Sequence, residues 1–171
     1  MDFNRSRQLR LPYYNYASTG LYFITVCAHH REYKFGDIRS GEMILSPIGQ
    51  IARQCWERIP TSSPYAGIDS FVVMPNHIHG IISIDNPQEK LDIPEKKFEP
   101  RKRSLSIVVR NYKTAVSIKS RALYPAIRIW QPRFFDRIIR SEKELNAVRR
   151  YIENNPQQWF EDKNNPENLT M

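Results

Sequence analysis

The chain has 171 residues, with 26 Lys and Arg against 18 Asp and Glu and hence a formal charge of +8. That length suits one domain able to bury a proper core, and the positive balance attracts polyanions at long range, although a merely solvated basic face would give the same number. Two cysteines, Cys27 and Cys55, sit in apolar patterns and argue for buried free thiols rather than disulfides, while no window approaches the ~18 apolar residues of a membrane span and no signal core opens the chain; a soluble cytoplasmic protein is expected.

In chain order, residues 20–28 are rich in aromatic and β-branched side chains and predict a first strand. Ser46-Pro47 offers an N-cap with proline at the first helical position, and Ile48, Ile51, Ala52, Cys55, Trp56 and Ile59 then recur at helical spacing until Pro60 closes the helix. Residues 68–74 form a second strand, Pro75-Asn76 a turn, and residues 77–84 the returning strand of a hairpin. From 86 to 103 the composition turns to Pro, Lys, Arg and Glu, which predicts a mobile charged insert serving solubility or DNA contact. A helix follows over 104–121, with Val108, Val109, Tyr112 and Val116 on its buried stripe. Residues 126–130, continued irregularly to 134–139 past Pro132, read as a last strand. Ser141 and Glu144 then make a capping box, and the helix they open runs to Pro156. With no repeat and no second domain, residues 1–171 are expected to be one unit. The order β-α-β-β-α-β resolves into a ferredoxin-like α+β fold, an antiparallel sheet with helices packed on it, with the C-terminal helix as an addition.

The chemistry concentrates in two places. His77-Ile78-His79 opens a strand, where alternate side chains share a face, so two imidazoles roughly 7 Å apart along the backbone can converge on one cation. On the last helix, Tyr151 and Asn155 fall within about 40° of each other on the flank of the stripe Leu145, Val148, Ile152. Asn155 also suits an ordinary helix stop before proline, and Asn154 is an adjacent competitor about 100° away. His29-His30 point opposite ways if they lie on a strand and are read as strand-end surface residues. Arg110, Lys113, Lys119 and Arg121 on the 104–121 helix, with Arg101, Lys102 and Arg103 before it, are a candidate phosphate-contacting set. Trp130, Phe134, Phe135 and Trp159 are available for stacking on bases or for packing in the core.

Taken together, Met74-Pro75-Asn76-His77-Ile78-His79-Gly80, Trp130-Gln131, Arg140 and Tyr151-Ile152-x-x-Asn155-Pro156-x-x-Trp159 resemble the REP-associated tyrosine transposases, single-tyrosine members of the HUH (histidine, hydrophobic, histidine) group. The resemblance runs over nearly the whole chain, from Arg10-Leu11-Pro12 and Tyr22-Phe23-Ile24-Thr25 through Phe35-Gly36 and Trp56. It implies a ferredoxin-like or RRM-like fold, a nucleoid-associated bacterial protein, and cleavage and rejoining of single-stranded or hairpin DNA. It further implies His77, His79 and Asn155 as ligands of Mg²⁺ or Mn²⁺, and Tyr151 as the nucleophile that forms a 5′-phosphotyrosine. A His₂-Asn donor set completed by water is consistent with those ions, whereas structural zinc takes four protein ligands. Glutamine or another polar residue replaces the asparagine in many relatives, so Asn155 is the least fixed of the set. Two other readings stay open, a DNA-binding protein that no longer cleaves and a nicking endonuclease of the replication-initiator kind. Tyr112 is the alternative nucleophile, and a monomer and a homodimer are both compatible with the sequence.

Overall fold

A computed structural model describes residues 14–86, 103–162 and 165. Four strands, β1 Gly20–Cys27, β4 Ala66–Val73, β5 His77–Ile84 and β6 Phe135–Ile139, make the main sheet in the order β4-β5-β1-β6. Every neighbouring pair is antiparallel. This is the ferredoxin-like α+β arrangement expected from the element order, with the first and third strands of the motif central.

The alternation along β1 sorts the core into two layers. Tyr22, Ile24 and Val26 face helices α1 (Pro47–Glu57) and α3 (Leu105–Arg121), joining Trp56, Val108, Val109 and Val116 in the larger cluster. Phe23 faces the other way and meets Ile81, Ile139, Val148 and Ile152 under helix α4 (Glu142–Asn154). The layer between α4 and the sheet is therefore separate from the principal core. Gly80, at the end of the His-Ile-His-Gly step, is required by packing: a Cβ there would sit 2.2 Å from the Trp56 ring, so only glycine lets that indole lie against the strand.

Three local expectations need correction. A hairpin of β2 (Gly36–Arg39) and β3 (Glu42–Leu45) stands between β1 and α1, joined by Ser40 and Gly41 at φ 52 and 78. Both turn residues are left-handed, as a two-residue hairpin requires. Helix α1 stops at Glu57, before Pro60, which instead lies in the first turn of the short α2 (Ile59–Ser62), where a missing N–H costs nothing. Residues 126–130 do not form a strand: Ala126 and Arg128 are exposed, and only an isolated bridge joins Trp130 to Ala28. Pro125 and Pro132 bracket the segment, and the strand begins beyond them at Phe135. The caps hold as read. Ser46 accepts from Gly49 N and Ser141 from Glu144 N, while Glu144 reaches back to the amide of Arg140. Both cysteines are free and buried. No helix among the described residues is long and apolar enough to cross a membrane. The charged insert lies outside the described residues except for its ends, Asn86 and Arg103, and so do Arg101, Lys102 and the Arg10-Leu11-Pro12 segment.

Candidate active site

His77 and His79 open β5 directly after the Pro75-Asn76 turn, and strand alternation sends both into the α4 layer. In the register, Cys27 lies opposite His77 and Thr25 opposite His79. Both imidazoles are fully buried, and their ring centres are 4.4 Å apart, so the rings lean together more closely than the strand repeat alone would bring them. His77 Nδ1 is 2.8 Å from Asn76 Oδ1, and His79 Nδ1 is 2.8 Å from Thr25 Oγ1. Burial first, and the positive Arg31 second, push the His77 pKa down to about 3, so the ring is neutral at physiological pH and has a lone pair to offer. Its Nε2 is buried without a hydrogen-bond partner.

Helix α4 brings the tyrosine. Val148 and Ile152 fix its buried stripe, and Tyr151, half-buried on the flank, places its hydroxyl 3.3 Å from His79 Nε2. The Phe23 ring meets the Tyr151 ring edge to face at 6.0 Å and lies 5.2 Å from His79, holding both on the sheet. Asn155 caps α4, is 2 % exposed, and has a buried Oδ1 without a hydrogen-bond partner; Asn154 is exposed. The helical-wheel preference for Asn155 over Asn154 thus agrees with burial.

The residue that the sequence reading missed is Asp162. Past Pro156 the chain makes a 3-10 turn, Trp159–Glu161, whose indole packs 6.1 Å from His77 and 5.7 Å from Tyr33. Asp162 follows it, buried, and its carboxylate converges with His77 and His79 so that one donor atom of each lies within 4.8 Å of the others. Two imidazole nitrogens and a carboxylate oxygen suit a divalent cation, which can bind there and offset the cost of burying the charge. Asp162 carried no signal in the sequence, because an acidic residue beyond a helix-stopping proline has no periodicity to place it. Trp159 serves the core and this turn.

Tyr112 belongs to the opposite layer. It is 3 % exposed, donates its hydroxyl to Ala52 O, and burial holds its pKa well above the ordinary tyrosine value, so it meets none of the donor atoms. His29 and His30 lie in a 3-10 turn rather than on a strand, their ring centres 3.9 Å apart with the planes tilted by 46°.

The cations of α3 divide. Arg110, Lys113 and Arg121 line a cleft of about 450 Å³ together with Arg133, Trp130 and Phe134, on the face of the sheet away from the histidines. Lys119 is exposed but outside that lining, and Arg133, the fourth cation, had not been singled out in the sequence. Lys113 already donates to Gln131 O and Arg133 O and sits over the Trp130 ring, so it stitches the 131–133 segment to α3. Trp130 donates in turn to Lys113 O and packs on Phe35 and Tyr112, and is therefore mostly a core residue.

No family model matches the chain. An uncharacterized protein of Haemophilus influenzae is 39% identical over 163 residues, covering 91% of each chain. Among solved structures, a REP-associated tyrosine transposase bound to a REP hairpin superimposes with a TM-score of 0.59 at 23% identity, covering 88% of this chain and 74% of its own. A candidate transposase from Deinococcus radiodurans R1 superimposes with a TM-score of 0.50 at 16% identity, covering 82% of this chain and 94% of its own.

Proposed function

The chain belongs to one family with the Haemophilus influenzae protein and has the fold of the REP-associated tyrosine transposase, and from that premise we propose that it is a metal-dependent transposase that cleaves and rejoins single-stranded DNA beside hairpins. One observation carries the reading: the donor atoms of His77, His79 and Asp162 meet within 4.8 Å, and the Tyr151 hydroxyl lies 3.3 Å from His79 Nε2 in the same buried place. A nucleophile and a cation site at one locus are what phosphodiester transfer by a tyrosine needs.

His77, His79 and Asp162 would hold Mg²⁺ or Mn²⁺, and Asn155, whose buried Oδ1 has no hydrogen-bond partner, is a further candidate donor. Such an ion, when bound, neutralises the non-bridging phosphate oxygens and polarises phosphorus. The rest is done by the chain. Tyr151 Oη forms the new bond to phosphorus as the bond to the 3′-oxygen breaks. The phenolic proton passes to solvent water, and the departing 3′-oxygen takes one from water to become a hydroxyl. The 5′-phosphotyrosine keeps the phosphodiester's energy, so a later 3′-hydroxyl reverses the attack and joins a strand without ATP.

Binding belongs to the other face. Arg110, Arg121 and Arg133 around the α3 cleft, with Arg101, Lys102 and Arg103 before the helix in sequence, would neutralise phosphates of the hairpin, and Phe134, which lines the cleft, would stack on an unpaired base. A partner of this kind is the one seen on the solved transposase, which is bound to a REP hairpin. A protein that binds DNA without cutting would have no use for a tyrosine hydroxyl on His79 Nε2 next to a His77 whose Nε2 is buried and unpartnered.

The test is incubation with hairpin-bearing single strands and Mn²⁺, followed by a denaturing gel. A covalent protein–DNA adduct that EDTA prevents, followed by joining to an added 3′-hydroxyl strand, is expected. Cutting without joining would favour the nicking endonuclease, and equal cutting of duplex would point to a general nuclease.

A further inference from the structure

The two histidines are held from behind by different parts of the chain. Behind His77 stands Asn76, whose Nδ2 donates to Arg31 O at 3.0 Å. A backbone carbonyl only accepts, so this contact settles which way the amide points and leaves Oδ1 facing His77 Nδ1. An acceptor at that distance requires the proton on Nδ1, which leaves the lone pair on Nε2, the atom that is buried without a partner. Behind His79 stands Thr25, buried on β1 directly across the ladder, with Oγ1 on Nδ1. On the far side of that ring the Tyr151 hydroxyl faces Nε2; both hydroxyls can donate or accept, and the phenol donating into Nε2 would put the ring proton on Nδ1 here too.

We propose that Asn76 and Thr25 are positioning residues that lock both imidazoles as Nδ1–H tautomers, so that both Nε2 lone pairs face the locus shared by Asp162 and Tyr151. This rests on the metal-site reading above. It also gives a role to the backbone around the site. His30 and Arg31 both adopt left-handed φ, 52 and 55, a region that L side chains avoid, and that conformation aims the Arg31 carbonyl at Asn76. The Pro75-Asn76 turn is pinned as well: Phe35 N donates to Pro75 O, and Ala28 N to Asn76 O, at 3.0 and 2.8 Å. The acceptor behind His77 is thus fixed by the ends of two strands and a strained turn, while the acceptor behind His79 is fixed by strand register.

The tautomers can be read directly from imidazole ¹⁵N shifts in the metal-free full-length protein, and Mn²⁺ affinity can be measured in the same samples. Both rings should carry the proton on Nδ1. Asn76→Leu and Thr25→Val, which keep shape and remove the acceptor, should each weaken Mn²⁺ binding by roughly 10–100-fold. Thr25→Ser should recover affinity to within a few-fold, a rescue that a packing role for the threonine methyl would not give. A proton on Nε2 of either ring, or unchanged Mn²⁺ affinity in both the Leu and Val variants, overturns the proposal. Should those variants fail to fold, the wild-type spectrum still decides. A wild-type protein that binds no Mn²⁺ would sink the metal-site reading, whereas the tautomers in the same metal-free sample judge the lock separately.

Discussion

On the α4 side of the sheet, His77, His79 and Asp162 are buried among Phe23, Trp159 and Tyr151; on the α3 side, Arg110, Arg121 and Arg133 stand around an open cleft. The same sheet thus carries polar groups in two opposite settings. Burial makes each contact on the first face strong and its geometry exacting, and forces His77 to stay neutral. Exposure makes the second face long-ranged, tolerant of geometry and screened by salt. Changes on the first face should therefore act on the chemical step, and changes on the second on affinity.

The largest expected effect lies with Tyr151, the proposed nucleophile. Tyr151→Phe should abolish the covalent adduct on a denaturing gel while hairpin affinity, measured by anisotropy, stays within about twofold, because only a hydroxyl is removed. An adduct that persists would break the comparison and move the nucleophile away from the histidines, since the alternative, Tyr112, is spent on Ala52 in the opposite layer. Next come the donors. His77→Ala, His79→Ala and Asp162→Ala should each lower Mn²⁺ affinity by more than the roughly 10–100-fold typical of outer partners. Calorimetric titration decides whether Asp162 belongs with the histidines: affinity unchanged in Asp162→Ala but abolished in Asn155→Ala would restore the donor set inferred from the sequence.

How much of this was legible differs between the faces for a physical reason. The histidine pair and the tyrosine helix are carried by regular elements, and period two on a strand and 3.6 on a helix were enough to put His77 and His79 on one face of the strand and Tyr151 and Asn155 on one flank of the helix. The four-strand sheet followed from the order of the same elements. Asp162 escaped because it lies in an irregular tail that is positioned by Trp159 packing on His77, a tertiary contact with no local periodicity. The β2–β3 hairpin escaped too, although Ser40-Gly41 is a turn dipeptide, because its strands are four residues each and half-exposed. On the basic face the sequence grouped Arg110, Lys113, Lys119 and Arg121 on one helix, but the absence of Lys119 from the cleft, the engagement of Lys113 by backbone carbonyls and the approach of Arg133 are not encoded in spacing.

A third measurement sharpens the contrast from the cleft side. Replacing Arg110, Arg121 and Arg133 together by alanine should weaken hairpin binding and flatten the dependence of log affinity on log salt by about 0.7–0.9 for each phosphate that is no longer neutralised. The rate of adduct formation at saturating DNA should hardly move. Lys119→Ala, outside the cleft, serves as the control for a change of charge alone. A slope equal to wild type in the triple variant would leave the cleft as a solvated surface, and a slope change in Lys119→Ala as large per charge would show that only net charge matters.

The smallest effect concerns the link between α4 and the sheet edge. Arg149, two residues before Tyr151, reaches Asp69 through Nε and Nη2 at 2.8 and 2.6 Å, a two-point contact seated where β4 breaks register between Ile68 and Phe71. The bulge turns Asp69 toward the helix, so the pair ties the helix that carries Tyr151 to the outer strand. Hydrogen bonding from Arg149 holds the Asp69 carboxyl below its ordinary pKa. A lowered carboxyl contributes its stabilisation above the ordinary aspartate value, about 3.9, and loses it as the pH falls from there through the lower native value. Arg149→Leu should therefore lower the melting temperature by no more than a few degrees at neutral pH, because the pair is partly solvated. That difference from wild type should shrink on acidification past the aspartate range. Adduct formation should slow by a few-fold with hairpin affinity unchanged, the signature of a tyrosine held less firmly. A melting difference that stays the same in acid would show that the arginine stabilises α4 by packing alone, and an unchanged rate would show that Phe23, Val148 and Ile152 suffice to hold Tyr151 in place.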